Sequence, residues 1–205
     1  MFHRTVTRAA LAVAALAVVL TASAASAQQP GRIRGQIEKV NGDAIVLKTR
    51  DGKDLNVKLD EKARVGALTK ASLADIKNDS FIGIAGMPQS DGSIEAFSIH
   101  IFLPAQRGVV PDRHGAWDAK PGSTMTNAYV ESMVKQKDGD VLTVKYKDGE
   151  KKIVVTTATA ITAVAPGNKD ELKPGAQIII MQSDKQPDGV LAKVLYIGRS
   201  LTPAM

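Results

Sequence analysis

Short runs of alternating apolar and polar residues, punctuated by Asn-Gly and Asp-Gly pairs, fill most of the chain beyond Arg32. In Asp54 to Leu59, for instance, Leu55, Val57 and Leu59 alternate with Asn56 and Lys58. A period of two puts one set on a buried face and the other in water, which is the signature of a strand. The same reasoning predicts strands over Arg32 to Val40, Ala44 to Thr49, Ser80 to Met87 and Ile94 to Leu103. Asn41-Gly42, Asp51-Gly52 and Asp91-Gly92 fall between them, where a hairpin turn needs positive φ. The alternation stops after Leu59. There "TKASLADIKND" offers Ser72 as an N-cap, Asp75 at the third helical position, and Leu73 and Ile76 on one face, predicting one or two helical turns.

This block recurs. "GDAIVLKTRDGKDLNVKL" from Gly42 lies over "GDVLTVKYKDGEKKIVVT" from Gly139 at an offset of 97 residues without a gap. The offset also carries Ala63 onto Ala160, Ile82 onto Ile179 and Asp91-Gly92 onto Asp188-Gly189. Two copies follow, about 32 to 103 and 127 to 199, the second with "NKDELKPG" as its short helix.

Each copy therefore has the order β-β-β-α-β-β, that of the OB fold, a five-stranded Greek-key barrel. The chain resembles exported bacterial proteins of unassigned function built from tandem OB-like β-barrel domains. The opening strand Arg34-Gly35-Gln36-Ile37-Glu38-Lys39-Val40 matches their "G-x-v-x-x-v-x-g" segment. In the later "G-x-x-v-x-v-x-G" segment, copy one has Asn78-Asp79 before Phe81 to Gly86, and copy two has Pro174-Gly175 without the closing glycine. The expected architecture is all-β with short helices: two tandem five-stranded OB-like barrels, 28–103 and 127–205, joined by an ordered proline- and glycine-rich connector, 104–126.

Residues 1–27 are set apart as a secretory signal peptide. Arg4 and Arg8 precede an apolar run from Ala9 to Leu20, and Ala25-Ser26-Ala27 supplies the A-x-A cleavage site. Twelve apolar residues are too few to span a bilayer, which needs about 20, and no later run comes closer. The mature protein is thus expected in the periplasm or secreted, starting near Gln28 and not membrane-spanning. It contains no cysteine, which removes disulfides, thiolate metal sites and cysteine nucleophiles. The formal charge is +6, of which the two leader arginines carry two, leaving a scattered +4.

Candidate chemistry is sparse. No G-x-S-x-G, H-E-x-x-H or phosphate-cradling glycine loop is present. His100, in "FSIHIFL", alternates onto the face opposite Ile99 and Ile101, which predicts a partly exposed strand histidine more readily than a catalytic base. An OB barrel binds nucleic acid through aromatics in a basic groove. Phe81, Phe97, Phe102, Tyr129, Tyr146 and Tyr196 form no aromatic and basic cluster common to both copies, and no nucleic-acid partner is expected. Lys145, Lys147, Lys151 and Lys152 suit solvated edge charges better than a phosphate site.

The connector is the remaining candidate. Its 23 residues, Pro104 to Thr126, exceed the 12 to 15 or so beyond which a connection is usually functional or disordered. Prolines 104, 111 and 121 and glycines 108, 115 and 122 argue against regular structure. Trp117, the only tryptophan, together with Val109 and Val110, loses by exposure, so Trp117 is expected to anchor an ordered clasp. Asp112, His114, Asp118 and Met125 offer one nitrogen, two sets of oxygens and a thioether, a donor set compatible with copper, zinc or nickel. Polar loop residues bonded to the local backbone are the plainer reading of the same four. The expectation is a non-enzymatic exported binding or scaffolding protein whose partner is an envelope protein or an anionic envelope polymer. The alternatives are a metal-binding or metal-delivery protein using the connector around His114 and, more distantly, a hydrolase.

Overall fold

The computed structural model describes residues 32–136 and 139–203; the expected signal peptide and cleavage site lie outside the described residues. Eleven strands form one hydrogen-bonded, mixed sheet. They are β1 (Ile33–Asn41), β2 (Ala44–Thr49), β3 (Asp54–Lys70), β4 (Phe81–Pro88), β5 (Ile94–Ile101), β6 (Arg113–Ala116), β7 (Thr124–Val134), β8 (Asp140–Tyr146), β9 (Gly149–Pro166), β10 (Gln177–Gln186) and β11 (Gly189–Gly198). Three-residue 3₁₀ turns at Leu73–Asp75, Pro104–Gln106 and Lys169–Glu171 are the only helices among the described residues. At the first, the Asp75 carboxylate accepts from both the amide and the hydroxyl of Ser72, each at 2.8 Å. Of the one or two expected helical turns, one 3₁₀ turn forms, after β3 has continued to Lys70.

The element order matches the repeat, but the partnership does not. β1, β2 and β3 are closed into a barrel by β10 and β11 from the second copy: β1 pairs β10 antiparallel and β3 pairs β11 parallel. The remaining strands close reciprocally, with β4 and β5 of the first copy completing the ring begun by β7, β8 and β9. Each copy has therefore given its last hairpin to the other, so the expected tandem barrels, one from 28–103 and one from 127–205, are not the units formed. Apolar alternation fixes which face of a strand is buried, and it does so equally well for a hairpin contributed by either copy.

Two strands make the exchange possible. β3 and β9 are 17 and 18 residues long, against the common five or six. Each lines one ring, bends at a bulge, and crosses to pair with the other, Gly66–Lys70 running antiparallel to Thr162–Pro166. The alternation lost after Leu59 marks this bend, not the end of a strand. Leu68 faces Val164 at the centre of the crossing ladder, with Gly66–Pro166 and Lys70–Thr162 at its ends, so the molecule has near-twofold symmetry there.

The repeat offset itself shifts. Val57 faces Val190 in one ring as Ile153 faces Ile94 in the other, a separation of 96 between matched positions. The cause is local. Thr49 N–H donates to Lys53 O around a loop in which Gly52 has φ +81°, whereas β8 and β9 close one residue sooner, at Tyr146 and Gly149. Asp-Gly thus marks a hairpin in both copies but places its glycine differently in each.

Three apolar clusters result. The first ring is filled by residues including Ile37, Leu47, Val57, Ile178, Ile180 and Leu195, and the second by Ile82, Ile84, Ile99, Leu142, Val144 and Ile153. A third lies at the joint, where Leu68 and Val164 meet Ala85, Met125, Ile179 and Trp117. At about 25 cal/mol per Å² of apolar surface removed from water, such clusters supply the main driving force, with no cysteine to reinforce them.

Candidate functional site

The connector wraps the joint. Trp117 is 9% exposed and packs in the third cluster. Its backbone N–H donates to Ser123 O at 2.8 Å, and the Arg32 guanidinium lies 4.1 Å from the ring centroid. From the connector, Gln106 donates to the Tyr196 hydroxyl of β11 at 3.0 Å, while Asn127 at the base of β7 donates to Pro111 O at 3.1 Å. Arg107 pairs with Asp79 at 2.8 Å and lies over Tyr129. The connector also forms β6, a four-residue strand on β7, where the prolines and glycines had argued against regular structure. Val109 is 65% exposed, so it contributes nothing to this anchoring.

The four residues expected to hold a metal point to different partners. His114 Nδ1 lies 2.8 Å from Thr126 Oγ1, and its ring faces Tyr146. Burial, then the nearby Lys151 cation, holds His114 below the usual histidine range. Asp118 accepts from Arg34 Nη2 at 2.8 Å and from the Arg32 amide at 2.9 Å. Burial works to raise its pKa, but these bonds and charges outweigh it and hold the carboxylate below its ordinary value. Met125 is committed to the third cluster, and Asp112 joins none of these contacts. No three His, Cys, Asp or Glu residues converge on a metal position among the described residues. Polar loop residues separate easily in space because each finds its own backbone or side-chain partner.

His100 is buried at 2% exposure, where alternation alone predicted partial exposure. Its ring presses against Gly83 of β4, where even a Cβ would sit 2.0 Å from Nε2, and meets Phe102 edge-on at 5.0 Å. Burial pushes its pKa down to about 3. A neutral imidazole sealed in this way has no room beside it for a reactant, and its sequence neighbours give no sign of the cover.

An open groove of about 770 Å³ lies against the first ring. The β1–β2 hairpin forms one wall through Lys39, Asn41 and Asp43; the floor is Val46, Asn56 and Lys58; the exchanged β10–β11 hairpin forms the opposite wall through Gln186, Asp188 and Leu191. Lys58 is register partner to Leu191, so the two copies meet along the groove floor. Apolar side chains, among them Ile45, Val46, Val57, Val190 and Leu191, make up most of its lining; carboxamides, two ammonium groups and two carboxylates make up the rest, and there is no aromatic ring. The polar residues among them look like ordinary outward positions in sequence, and only the exchange brings them together. Among the described residues, no helix is long and apolar enough to cross a membrane. Comparison with protein-family models, with curated proteins and with solved structures returns no match.

Proposed function

We propose that this is an exported cell-envelope protein that acts by binding or scaffolding, without catalysis, and that each ring is an OB-like barrel completed by the other copy's hairpin. The observation that carries the reading is the groove between Lys39, Asn56, Lys58, Gln186 and Leu191. The ring order β1-β2-β3-β11-β10 with its parallel β3–β11 pair supports the OB-like assignment. In such barrels the second and third strands, with the hairpins flanking them, form the ligand face. The groove combines a mostly apolar lining with side chains that can donate and accept several hydrogen bonds at once, which suits an amide- or hydroxyl-bearing envelope polymer that also presents apolar faces. They offer no stacking platform for bases, which supports a partner other than nucleic acid. The apolar run at Ala9 to Leu20 supports export.

The test is a titration of the protein with size-fractionated envelope glycan fragments, followed by amide chemical shifts. Saturable changes are expected at Asn41, Asn56 and Gln186, and Leu191→Glu should abolish them while the rest of the spectrum is preserved. Unchanged shifts at those positions, or equal changes in the variant, would rule out the groove as the binding face.

A further inference from the structure

Charges on the outer face of the first ring do not cancel at the groove. Strand register sets two rows of side chains across it: Lys39, Val46 and Asn56 in one, and Asn41, Ala44, Lys58 and Leu191 in the next. The neighbouring carboxylates are engaged elsewhere. Lys48 pairs with Glu38 at 3.7 Å and with Asp54 at 2.6 Å, and Asp43 pairs with Lys169 at 3.7 Å. Asp184 pairs with Lys193 at 2.6 Å, and Asp60 accepts from the Lys62 amide at 2.8 Å. Lys39 and Lys58 have no ion-pair partner among the described residues, and they stand on the two strands flanking β2, with Ala44 and Val46 between them. Asp188, on the opposite wall, has no ion-pair partner among the described residues either, so it repels a carboxylate from that side and directs it toward the lysines.

The remaining side chains narrow the chemistry. Asn41, Asn56 and Gln186 each present a carbonyl and an NH₂ group, the same acceptor and donor pair as a peptide bond. Val46 and Leu191 supply apolar contacts between them. The two rows lie two residues apart along β2, about 6.6 Å at the rise of a strand, which is also the spacing of alternate side chains in an extended peptide. A chain laid along β2 therefore places successive side chains of one face in successive rows. The groove has no aromatic ring on which a flat ligand ring could stack.

We propose that the groove takes an extended acidic peptide, with the side chains of one face in the two rows and the carboxylate of an aspartate or glutamate received by Lys39 and Lys58. This rests on the groove being the binding face, and it selects a peptide over a glycan as the partner. Two ammonium groups on flexible stems reach a carboxylate without the fixed fork of an arginine, so the site recognises charge and an extended backbone more than one exact sequence.

The test follows amide chemical shifts of the protein at constant ionic strength with three probes: the peptide acetyl-Val-Thr-Glu-Thr-Val-amide, its glutamine counterpart, and a neutral N-acetylglucosamine oligomer. The glutamate peptide should give saturable shifts at Asn41, Asn56 and Leu191 and bind about fivefold more tightly than the glutamine peptide, the scale of an exposed ion pair. Lys39→Gln and Lys58→Gln, both on exposed side chains, should each reduce that preference, and the double variant should abolish it with shifts elsewhere preserved. Lys147→Gln, between β8 and β9 of the other ring, should leave it unchanged. Groove shifts from the glycan oligomer with none from either peptide would overturn the peptide assignment and leave the groove as a binding face, whereas silence there from all three probes would remove both. A glutamine peptide that binds as tightly as the glutamate peptide, or a preference that survives in the double variant, also overturns the proposal.

Discussion

His100 and Tyr196 occupy matching places in the two rings, each one residue beyond a core position, Ile99 or Leu195. His100 lies over Gly83 of β4, and Tyr196 lies over Gly66 of β3. The imidazole is 2% exposed with its Nδ1 unpartnered, while the phenol receives a hydrogen bond from Gln106. The connector makes the difference. It adds β6 to the edge of β7 in the second ring, with Asn127 bonded to Pro111, and leaves the β2–β3 face of the first ring open as the groove. Two copies of one repeat thus divide the work: one outer face is spent on holding the molecule together, and the other stays available to a ligand. A repeat that is nearly symmetric in its ladders becomes asymmetric through the one segment that has no counterpart.

Removing the clasp is expected to have the largest effect on this contrast. Trp117→Ala should cost about 3 to 5 kcal/mol in denaturant unfolding, the range of buried aromatic truncations. In the parent protein the lone tryptophan should emit blue-shifted light and resist acrylamide quenching. A cost below about 1 kcal/mol would mean that the joint does not depend on the indole.

Leu195→Ala sharpens the comparison by asking which ring the second copy's last strand serves. Leu195 is fully buried in the first ring's core, so its truncation should cost about 2 to 5 kcal/mol. Loss of amide protection should fall on β1 to β3 first. Loss centred on β7 to β9 would assign the strand to its own copy.

The pH dependence is a smaller test of the sealed ring. Native His100 stays neutral down to about pH 3, whereas in the unfolded chain it takes up a proton near 6.5. The unfolded state therefore binds more protons between these values, and stability falls as the pH drops through that window. The slope is about 0.7 kcal/mol per pH unit at pH 6.5 and approaches about 1.4 a unit or more below it. Carboxylates held low, such as Asp75 by its bonds from Ser72, take effect only below about pH 4. His100→Gln should reduce the slope between pH 6 and 5, leaving the smaller part that comes from His114, and an unchanged slope would show that His100 is open to solvent.

Much of this fold is legible in the sequence because strands and turns are local. Leu55, Val57 and Leu59 announce their buried face whatever strand lies beside them, and Asn41-Gly42 or Asp91-Gly92 marks a hairpin wherever the hairpin docks. The exchange is not legible, because β5 and β11 carry similar apolar faces and each would fit either ring. The bend at Asp60 to Ala63 looks like a strand end for the same reason: a strand leaving one barrel for another stops alternating. Trp117 stood out by its rarity and by the cost of exposing it. Asp118 reads in sequence as an oxygen donor, but its arginine partners lie 84 and 86 residues away, a distance at which spacing carries no information.

The central claim is that each ring is completed by the other copy's hairpin, and the absence of native cysteine makes a direct test clean. Lys58 is register partner to Leu191 across the β3–β11 ladder, whereas Glu95, the matching residue of the first copy, pairs with Val154. Cysteines should be placed in two double variants, Lys58→Cys with Leu191→Cys and Lys58→Cys with Glu95→Cys, and bridged by oxidation or a short bis-thiol reagent in the monomer. Exchange predicts rapid internal cross-linking of the first and none of the second; efficient bridging of the second, with the first left open, would show that each copy closes its own barrel.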